Sequence, residues 1–286
     1  MGRELPPTTM TNQQNMEDTA ADQAAKVSAP KEQSFFNDSL IYGLSSALTL
    51  GSGFLLIPLY TSSLSTQEFG LYEILNQFAN ILFMFIYMGS INSFVRFYFD
   101  RADSEWRKTV VITTIATNLI SFSVIAFLVL LSKGAFVEHV SKDESSYRLI
   151  DLLLVWMFFE IIYQIGTTFL QVNKKPKLYL ASHALRAVLF IGFNVLFLIF
   201  QDRGIEGIFY ANILACSIYA IGFMIFAVYW TRLKISFSLA LEFLKYGLPY
   251  LPTGILFYIA NASDRFFINQ FGDLSDVGVY ALGAKI

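Results

Sequence analysis

The stretch Thr109–Ser132 reads TVVITTIATNLISFSVIAFLVLLS and contains no charged side chain over 24 residues. A helix needs about 20 predominantly apolar residues to cross the hydrocarbon core of a bilayer. A soluble helix of this length would show a charged face at helical spacing, which this stretch lacks. The stretch therefore predicts a membrane-spanning helix, and Gly207–Thr231 predicts another over 25 uncharged residues.

The same pattern continues on both sides of these two stretches. Five more long apolar runs bring the number of predicted spans to seven: Ser39–Gln67, Ile74–Val95, Leu149–Gln171, Leu178–Gln201 and Gly247–Asn269. Charged residues make up only 15% of the 286 residues, against about 25% in soluble proteins. The chain is therefore predicted to be an all-α, polytopic membrane helix bundle.

Composition and motifs also exclude several classes of function. A net charge of −2 without a basic segment argues against a nucleic-acid partner. The single cysteine, Cys216, excludes an internal disulfide and a cysteine-based metal site. Phosphate-binding loops, nucleophile elbows and HExxH motifs are missing from the sequence. We therefore expect no catalytic residues, no metal and no cofactor, and a membrane enzyme is the least favoured class.

The N-terminal segment and the loops predict the orientation. Residues 1–34 are polar and have no apolar period, which predicts a disordered tail rather than a signal peptide. The tail and the loops on its side carry thirteen Lys and Arg residues, and the opposite loops carry four. Because an excess of Lys and Arg marks cytoplasmic loops, we predict a cytoplasmic N-terminus.

One sequence pattern occurs twice. Tyr42–Leu44 and Tyr246–Leu248 both read YGL, 204 residues apart, and open the first and seventh spans. Beyond these spans stand Leu64–Tyr72, LSTQEFGLY, and Leu274–Tyr280, LSDVGVY. Six spans separate the copies, so both run in the same direction, as in transporters built from two parallel repeats. Two such halves predict a protein of about 450 residues, so we expect this chain to be a fragment.

Several of these motifs resemble the polysaccharide transporter family, the O-antigen and capsule repeat-unit flippases of the multidrug/oligosaccharidyl-lipid/polysaccharide exporter (MOP) superfamily. The resemblance covers about residues 39–286 and implies two six-helix lobes around a central cavity, as in a MATE-like exporter. On this plan, residues 35–232 form the N-terminal lobe, 233–245 a cytoplasmic linker, and 246–286 helix seven and the start of helix eight. The motifs are Phe69–Tyr72, Arg96–Tyr98, Gln171–Tyr179, Tyr246–Pro252, Asn261–Arg265 and Val277–Tyr280.

The resemblance also implies a function. The whole protein is expected to flip an undecaprenyl-pyrophosphate-linked oligosaccharide across the bacterial cytoplasmic membrane during O-antigen, capsule or exopolysaccharide biosynthesis. Its candidate partners are that lipid-linked glycan, the bilayer, and a polysaccharide polymerase with other assembly proteins. The alternative is a cation-coupled multidrug antiporter of the same superfamily. Because one lobe supplies only one wall of the transport cavity, we expect the chain to be inactive alone.

Charged side chains inside spans are functional candidates, because each costs about 2.5–3.5 kcal/mol at a helix centre. Arg186 and His183 share one face of span five, and Asn194 extends that face. A guanidinium group matches the oxygens of a pyrophosphate, so Arg186 and Asn194 are candidates for substrate binding. Alternatively, Arg186 forms an ion pair with Glu160 or Asp264. His183 is either a proton relay or a packing residue.

Glu160 in span four and Asp264-Arg265 in span seven are the other charges. Glu160, Asp264 and His183 are candidates for ion coupling or ion pairing, and pairing with Arg186 is favoured for Glu160. Adjacent helical residues point about 100° apart. Asp264 and Arg265 are therefore expected to pair poorly with each other and to have partners across the two lobes. Arg265 either lines the cavity and binds substrate or lies at the outer interface.

Span two has one polar face, formed by Glu73, Asn76, Gln77 and Asn80 at i, i+3, i+4 and i+7. This face either contacts sugar hydroxyls or stands in the outer headgroup layer. Arg96, at the inner end of the same segment, is a further candidate for substrate binding. Its alternative role is that of a positive-inside anchor.

Span one contains small residues that affect helix packing, and spans one and seven contain prolines that affect helix geometry. Gly43, Ala47 and Gly51 recur every four residues on span one and predict close helix packing. Proline lacks a backbone N–H group and kinks helices. We therefore expect bends at Pro58 in span one and at Pro249 and Pro252 in span seven.

Overall fold

The computed structural model describes residues 37–138, 146–232 and 234–284, and the tail predicted at residues 1–34 lies outside them. Within these ranges all regular secondary structure is helical. The long apolar helices correspond in order to the first six predicted spans and confirm the all-α polytopic bundle. They are α1 Asn37–Ser63, α2 Thr66–Asp100, α3 Ser104–Phe136, α4 Ser146–Val172, α5 Pro176–Phe200 and α6 Gly204–Thr231.

Three shorter helices follow: α7 Phe237–Gly247, α8 Leu251–Phe271 and α9 Leu274–Gly283. The helix α8 corresponds to the seventh predicted span and has 21 residues. Its second half is polar, so α8 is not among the six helices that are apolar enough to cross a membrane. The predicted linker at 233–245 is largely the helix α7.

The connections between helices alternate between two ends of the bundle. Residues 101–103 and 173–175 and the segment before α7 lie at the first end, and residues 64–65, 201–203 and 272–273 lie at the second end. Ion pairs join neighbouring segments at each end. At the first end, Lys234 Nζ lies 2.6 Å from Glu105 Oε2, and at the second end Arg148 Nε lies 3.4 Å from Glu206 Oε1.

Capping side chains fix where α2 and α9 begin. The Ser65 hydroxyl accepts from the Glu68 N–H, and the Glu68 carboxylate accepts from the Ser65 N–H at 2.9 Å. Asp273 and Asp276 form the same reciprocal box at the start of α9. Each box satisfies two backbone N–H groups, one at the N-cap and one that the helix start leaves without an internal partner. The two helix starts therefore share one capping design, with Ser65 as the N-cap of α2 and Asp273 as the N-cap of α9.

Two long helices are interrupted. The regular α-helical pattern of α1 is interrupted at Leu56, where the backbone N–H donates to the Gly53 oxygen at 3.3 Å. This interruption lies two residues before Pro58, the proline at which a bend is expected. The helix α2 breaks at Met88 and Gly89, whose φ angles are 41° and 73°. This left-handed backbone is accessible to glycine at little cost, and it redirects the chain between the two halves of α2. Pro249 lies in the short 3₁₀ turn that precedes α8.

The helix α4 lies at the centre of the bundle. It is the most buried of the six long helices, and its contact with α6 is the most extensive helix pair of the described chain. Its apolar residues recur at helical spacing, which gives one continuous buried stripe. The fully buried members of this stripe are Ile150, Leu153, Met157, Ile161 and Ile165. The polar residues of α4 are thereby held in fixed positions.

The start of α2 and the start of α9 cross with their backbones in contact. A Cβ atom added at Gly70 would overlap the backbone oxygen of Leu274, and one added at Gly278 would overlap that of Thr66. At the same crossing, Thr66 Oγ1 and Ser275 Oγ are 2.7 Å apart. Gly70 and Gly278 are the glycines of the two repeated motifs, so the two copies of the motif pack against each other.

A second backbone contact lies at the break in α2. A Cβ atom added at Gly89 would lie 2.6 Å from the Cα atom of Gly247, the last residue of α7. In return, a Cβ atom added at Gly247 would overlap the backbone oxygen of Met88. The Ser93 hydroxyl donates to the Phe243 backbone oxygen at 3.0 Å beside this contact. Residues of the second repeat therefore hold α2 at two separate points.

The small residues of α1 do not form the expected close contact. A Cβ atom added at Gly43 or Gly51 would meet no atom of the described chain within 4 Å, and Ala47 is exposed. The expectation is wrong within the described ranges because α1 lies at the edge of the bundle, where few of its residues are buried. The close glycine contacts are formed by Gly70 and Gly89 instead.

We expect Gly278→Ala to destabilise the protein, because the new methyl group overlaps a backbone oxygen that cannot rotate away. Overpacking of this kind costs about 1–3 kcal/mol, which lowers the melting temperature of the detergent-purified protein by several degrees. Gly222→Ala is the matched control, since an added Cβ at this α6 glycine meets nothing within 4 Å. Equal melting temperatures for the two variants would contradict the backbone contact.

Candidate functional site

A cavity of about 630 Å³ lies between α2, α4 and the start of α8. Its wall combines amide side chains with aromatic rings. Among the described residues, the carboxylate of Glu160 is the only acidic group in this wall. The amides belong to Asn76, Asn80, Asn92 and Gln164, and the rings to Phe83, Tyr87, Trp156 and Tyr250.

Helical spacing brings the wall residues together. On α2 they recur every three or four positions from Asn76 to Tyr87, and on α4 every four positions from Trp156 to Gln164. Residues at these spacings share one helix face, so each helix presents one strip to the cavity. Asn76 and Asn80, two members of the predicted polar face of span two, therefore line the cavity.

The other two members of that face contact α8. Glu73 is 1% exposed, and its Oε2 lies 4.0 Å from Arg265 Nε. The Tyr258 hydroxyl donates to the Gln77 backbone oxygen at 3.2 Å. On the polar face of α2, Asn76 and Asn80 thus line the cavity, the Glu73 side chain reaches α8, and Gln77 contacts α8 through its backbone.

Arg265 lies at the contact between α2 and α8 rather than in the cavity wall. Its Nη1 is 3.3 Å from Asp264 Oδ1, and its side chain is 11% exposed. The expectation that Asp264 and Arg265 pair poorly is wrong, because the long arginine side chain reaches back to the adjacent carboxylate. Arg265 has the expected partner in the other lobe, Glu73. The partner of Asp264 comes from the same lobe instead, since the Tyr280 hydroxyl donates to Asp264 Oδ2.

Donors from three helices surround the Glu160 carboxylate. Arg186 Nη1 donates to Oε1 at 2.8 Å, and Trp156 Nε1 and Cys216 Sγ donate to Oε2 at 3.3 and 3.0 Å. The Arg186 guanidinium also lies 4.6 Å from the centre of the Tyr163 ring. The side chains of Glu160 and Arg186 are 15% and 21% exposed. The structure therefore contains the ion pair favoured for these residues, and it is largely buried.

A second cavity, of about 120 Å³, lies behind this pair between α1, α5 and α6. Arg186 and His183 line it together with Thr49 and Ser52 of α1. His183 Nδ1 is 3.0 Å from Thr49 Oγ1, and its ring packs on Tyr179 with the ring centres 4.4 Å apart. These contacts match the packing role that was the alternative to a proton relay for His183.

Asn194 lies away from both cavities. It is fully buried, its Oδ1 accepts from the Tyr60 hydroxyl at 3.1 Å, and its Nδ2 donates to the Phe190 backbone oxygen at 2.8 Å. Because both ends of the amide have partners, Asn194 joins α5 to α1. The structure thus corrects the expected substrate-binding position of Asn194.

Arg96 lies close to the part of the cavity that is nearest to the first end of the bundle. Asn92 lines the cavity, and Arg96 follows one helical turn later. The Arg96 guanidinium lies 4.7 Å from the centre of the Tyr246 ring, and the hydroxyls of Tyr246 and Tyr250 are 3.4 Å apart. The hydrogen bond with Tyr250 and the positive charge of Arg96 lower the pKa of the Tyr246 hydroxyl below its ordinary value.

The aromatic half of the wall and the contact of Cys216 with Glu160 are not apparent from the sequence. The chain has 29 Phe and 15 Tyr residues, so no single ring stands out before the helices are packed. Trp156 could have been identified from the sequence. It is one of only three tryptophans, and its position four residues before Glu160 places both on one helix face. For Cys216, only the position of α6 against α4 reveals its contact with Glu160.

Solved structures of transporters share this fold. Two similar ones are the inward-facing and outward-facing conformations of a multidrug resistance MATE family transporter of the MOP superfamily. Their TM-scores are 0.61 and 0.60, their identities 17% and 18%, and they cover 83% and 85% of this chain. The match covers 56% and 58% of those chains, so the chain spans little more than half their length. Both solved structures are of transporters, and at these identities the likeness shows a shared fold.

Comparison of sequences identifies the family. Comparison with curated proteins finds no significant match. The family model described as "polysaccharide biosynthesis protein" matches residues 35–286, which include both copies of the repeated motif and every residue of the cavity wall. The chain therefore belongs to the polysaccharide biosynthesis protein family, and its fold is that of the MATE transporters of the MOP superfamily.

Proposed function

We propose that this chain belongs to a flippase for lipid-linked oligosaccharides. In this proposal residues 35–232 form one lobe, 233–245 the linker and 246–286 the start of the other lobe. Membership of a polysaccharide biosynthesis family together with a MATE fold supports a transporter with a glycan cargo. The cargo is then a glycan on undecaprenyl pyrophosphate in the bacterial cytoplasmic membrane, and a polysaccharide polymerase is a partner.

The composition of the cavity wall is the observation that carries this proposal. An asparagine or glutamine amide offers two N–H donors and an acceptor oxygen, which suits sugar hydroxyls that both donate and accept. Aromatic rings provide flat apolar faces for the C–H faces of sugar rings. The wall of four amides and four rings therefore fits a neutral, hydroxyl-rich ligand.

The ion pair and hydrogen bonds of Glu160 argue against a cationic cargo. A drug cation would gain most from a carboxylate without a counter-charge, whereas Glu160 is paired with Arg186 at 2.8 Å. Its other oxygen accepts from Trp156 and Cys216. The acidic group of the described wall is thus already neutralised, which favours the glycan over the multidrug alternative.

The charge distribution supports an orientation with the first end in the cytoplasm. Among the described residues, ten Lys and Arg residues lie near the first end and three near the second end, and such an excess is typical of the cytoplasmic side. In this orientation Arg96 and the adjacent end of the cavity face the cytoplasm. A lipid-linked glycan assembled on the cytoplasmic leaflet would then meet this end of the cavity first.

The contacts of Glu160 support a pairing role rather than an ion-coupling role. Three donors hold its carboxylate, and they come from α4, α5 and α6. Hydrogen bonds from several helices to one carboxylate fix its position. We therefore assign Glu160 the role of joining three helices at the cavity wall and orienting Trp156 within that wall.

Fluorescence of Trp156 tests the glycan proposal, because this tryptophan lines the cavity and Trp106 and Trp230 do not. We expect a lipid-linked oligosaccharide to quench it saturably in the purified chain in nanodiscs. Asn76→Ala combined with Asn80→Ala is expected to weaken the affinity about tenfold or more, since each neutral hydrogen bond contributes about 0.5–1.5 kcal/mol.

Gln67→Ala is the matched control, because it removes an exposed amide of α2 outside the cavity. Its affinity for the glycan lipid should equal that of the wild type. Tetraphenylphosphonium, a lipophilic cation, tests the antiporter alternative. Saturable quenching by this cation, with no response to the glycan lipid, would contradict the proposal and support the antiporter.

A thermal-unfolding cycle tests the role of Glu160. Glu160→Gln leaves Arg186 buried without its counter-charge, and losing one partner of a buried ion pair costs about 3–5 kcal/mol. Glu160→Gln combined with Arg186→Gln leaves no buried charge, so we expect it to recover most of the lost stability. A single variant as stable as the wild type, with a changed pH dependence of transport in the whole protein, would instead indicate ion coupling.

A further inference from the structure

The segment Gln171–Tyr179, which joins α4 to α5 at the first end, has no part in the cavity. It reads QVNKKPKLY and contains three lysines and no acidic residue. Lys174, Lys175 and Lys177, which we name the turn lysines, are all exposed. No carboxylate of the described residues lies within ion-pair distance of any of them. The turn therefore presents three uncompensated positive charges.

Hydrogen bonds hold this turn in one conformation. The Lys175 N–H donates to the Leu170 oxygen at 3.0 Å, which closes the end of α4. The Asn173 side chain accepts from the Tyr98 hydroxyl at 2.9 Å. Tyr98 belongs to α2 and is only 2% exposed. The buried tyrosine thus ties the turn to the end of α2, so the turn lysines project from a fixed backbone.

Arg107 of α3 adds a fourth positive charge beside the same tyrosine. Its guanidinium carbon lies 5.3 Å from the centre of the Tyr98 ring. Within the described ranges Arg107 has no carboxylate partner, and its buried Nε atom has no hydrogen-bond partner. Tyr98 therefore contacts both the turn that carries the lysines and the arginine from the neighbouring helix.

The acidic residues at this end do not balance the four cations. Asp103 caps the start of α3 through two backbone N–H groups, and Glu105 is paired with two other lysines. On the described parts of α1 to α5, the carboxylates that remain near this end are Asp38 and Asp100. Neither forms an ion pair with Arg107 or a turn lysine. An excess of positive charge thus faces the surroundings.

The helix α5 presents an apolar face directly beyond this charge. Its side chains Leu178, Leu185 and Val188 are 55%, 45% and 69% exposed, and their spacing places them on one face. Tyr42 of α1 and Tyr179 of α5 pack with their ring centres 5.1 Å apart at the upper limit of this face. Tyrosine is enriched where the headgroups of a bilayer meet the acyl chains. The cations therefore stand at headgroup level, and the apolar face continues into the acyl-chain region.

We propose that the turn lysines and Arg107 bind the headgroup of an anionic phospholipid of the bilayer, with an acyl chain along the apolar face of α5. Basic pockets between membrane helices attract anionic headgroups, and lysine side chains are long enough to reach lipid phosphates. None of the four cations lines the cavity among the described residues. This lipid site is therefore separate from the transport cavity and does not depend on the cargo.

Phosphatidylglycerol added to the delipidated chain in a neutral detergent tests the lipid site. A ligand that binds only the folded state raises the melting temperature. We expect a saturable rise of several degrees, which phosphatidylcholine does not produce. Lys175→Gln combined with Lys177→Gln should raise the half-saturating lipid concentration about tenfold or more, because two cation–phosphate contacts are lost. Arg107→Gln should raise it about threefold to tenfold.

Lys234→Gln combined with Lys245→Gln is the matched control. It removes two exposed lysines at the same end, before and within α7, outside the lipid site. Its half-saturating concentration should equal that of the wild type. An equal loss for the two double variants would show a general surface-charge effect and overturn the lipid site. Unchanged lipid binding by both the Lys175 and Lys177 double variant and Arg107→Gln would overturn it as well.

Inorganic phosphate distinguishes a lipid from a free anion. It carries the charge without acyl chains, so we expect it to leave the melting temperature unchanged. A rise equal to that with phosphatidylglycerol would overturn the assignment to a lipid. The probe carries no glycan and binds outside the cavity. A failure of this experiment therefore leaves the proposed function standing, and a failure of the glycan experiment leaves the lipid site standing.

Discussion

The arrangement of this molecule depends on two backbone contacts between glycines, at Gly70–Gly278 and at Gly89–Gly247. They hold α2 against the start of the second repeat at two points along its length. Gly247 lies between Tyr246 and the 3₁₀ turn Leu248–Tyr250 that leads into α8. The second contact therefore determines where Tyr250 meets the cavity and where Tyr246 meets Arg96. A side chain at any of these positions would push the two segments apart, and the cavity between α2, α4 and α8 would change its shape.

The repeat explains why such contacts exist. Both copies of the motif begin a helix with a reciprocal capping box and continue with a glycine near the crossing point. Two helix starts of the same design can approach each other face to face, since each offers a glycine to the backbone of the other. The sequence shows that the two copies match and run in the same direction. It does not show that they touch, because the spacing of a repeat carries no information on tertiary packing.

The lack of information on tertiary packing also decides which features of the fold and site can be predicted from the sequence. The long helices are predictable because hydropathy is a local property. The pairing of Glu160 with Arg186 is also predictable, because an unpaired buried charge is too costly to leave. Asn194 shares a face with Arg186, but it turns towards Tyr60 of α1, and only the packed bundle reveals that neighbour. Helix geometry likewise fixes the direction in which Arg265 leaves its helix, but not how far its long side chain folds back towards Asp264.

The interior of the cavity and its first end differ in charge. The interior carboxylate is neutralised by Arg186, whereas Arg96 at the first end has no acidic partner among the described residues. A neutral, hydrogen-bonding interior with a cation at one end suits a ligand that has an anionic end and an uncharged polar body. A lipophilic cation would meet the opposite arrangement, with repulsion at the first end and no unpaired carboxylate among the described wall residues. Electrostatics of this kind selects by the sign and position of charge, so the placement of Arg96 relative to the Glu160–Arg186 pair carries more information than the net charge of the wall.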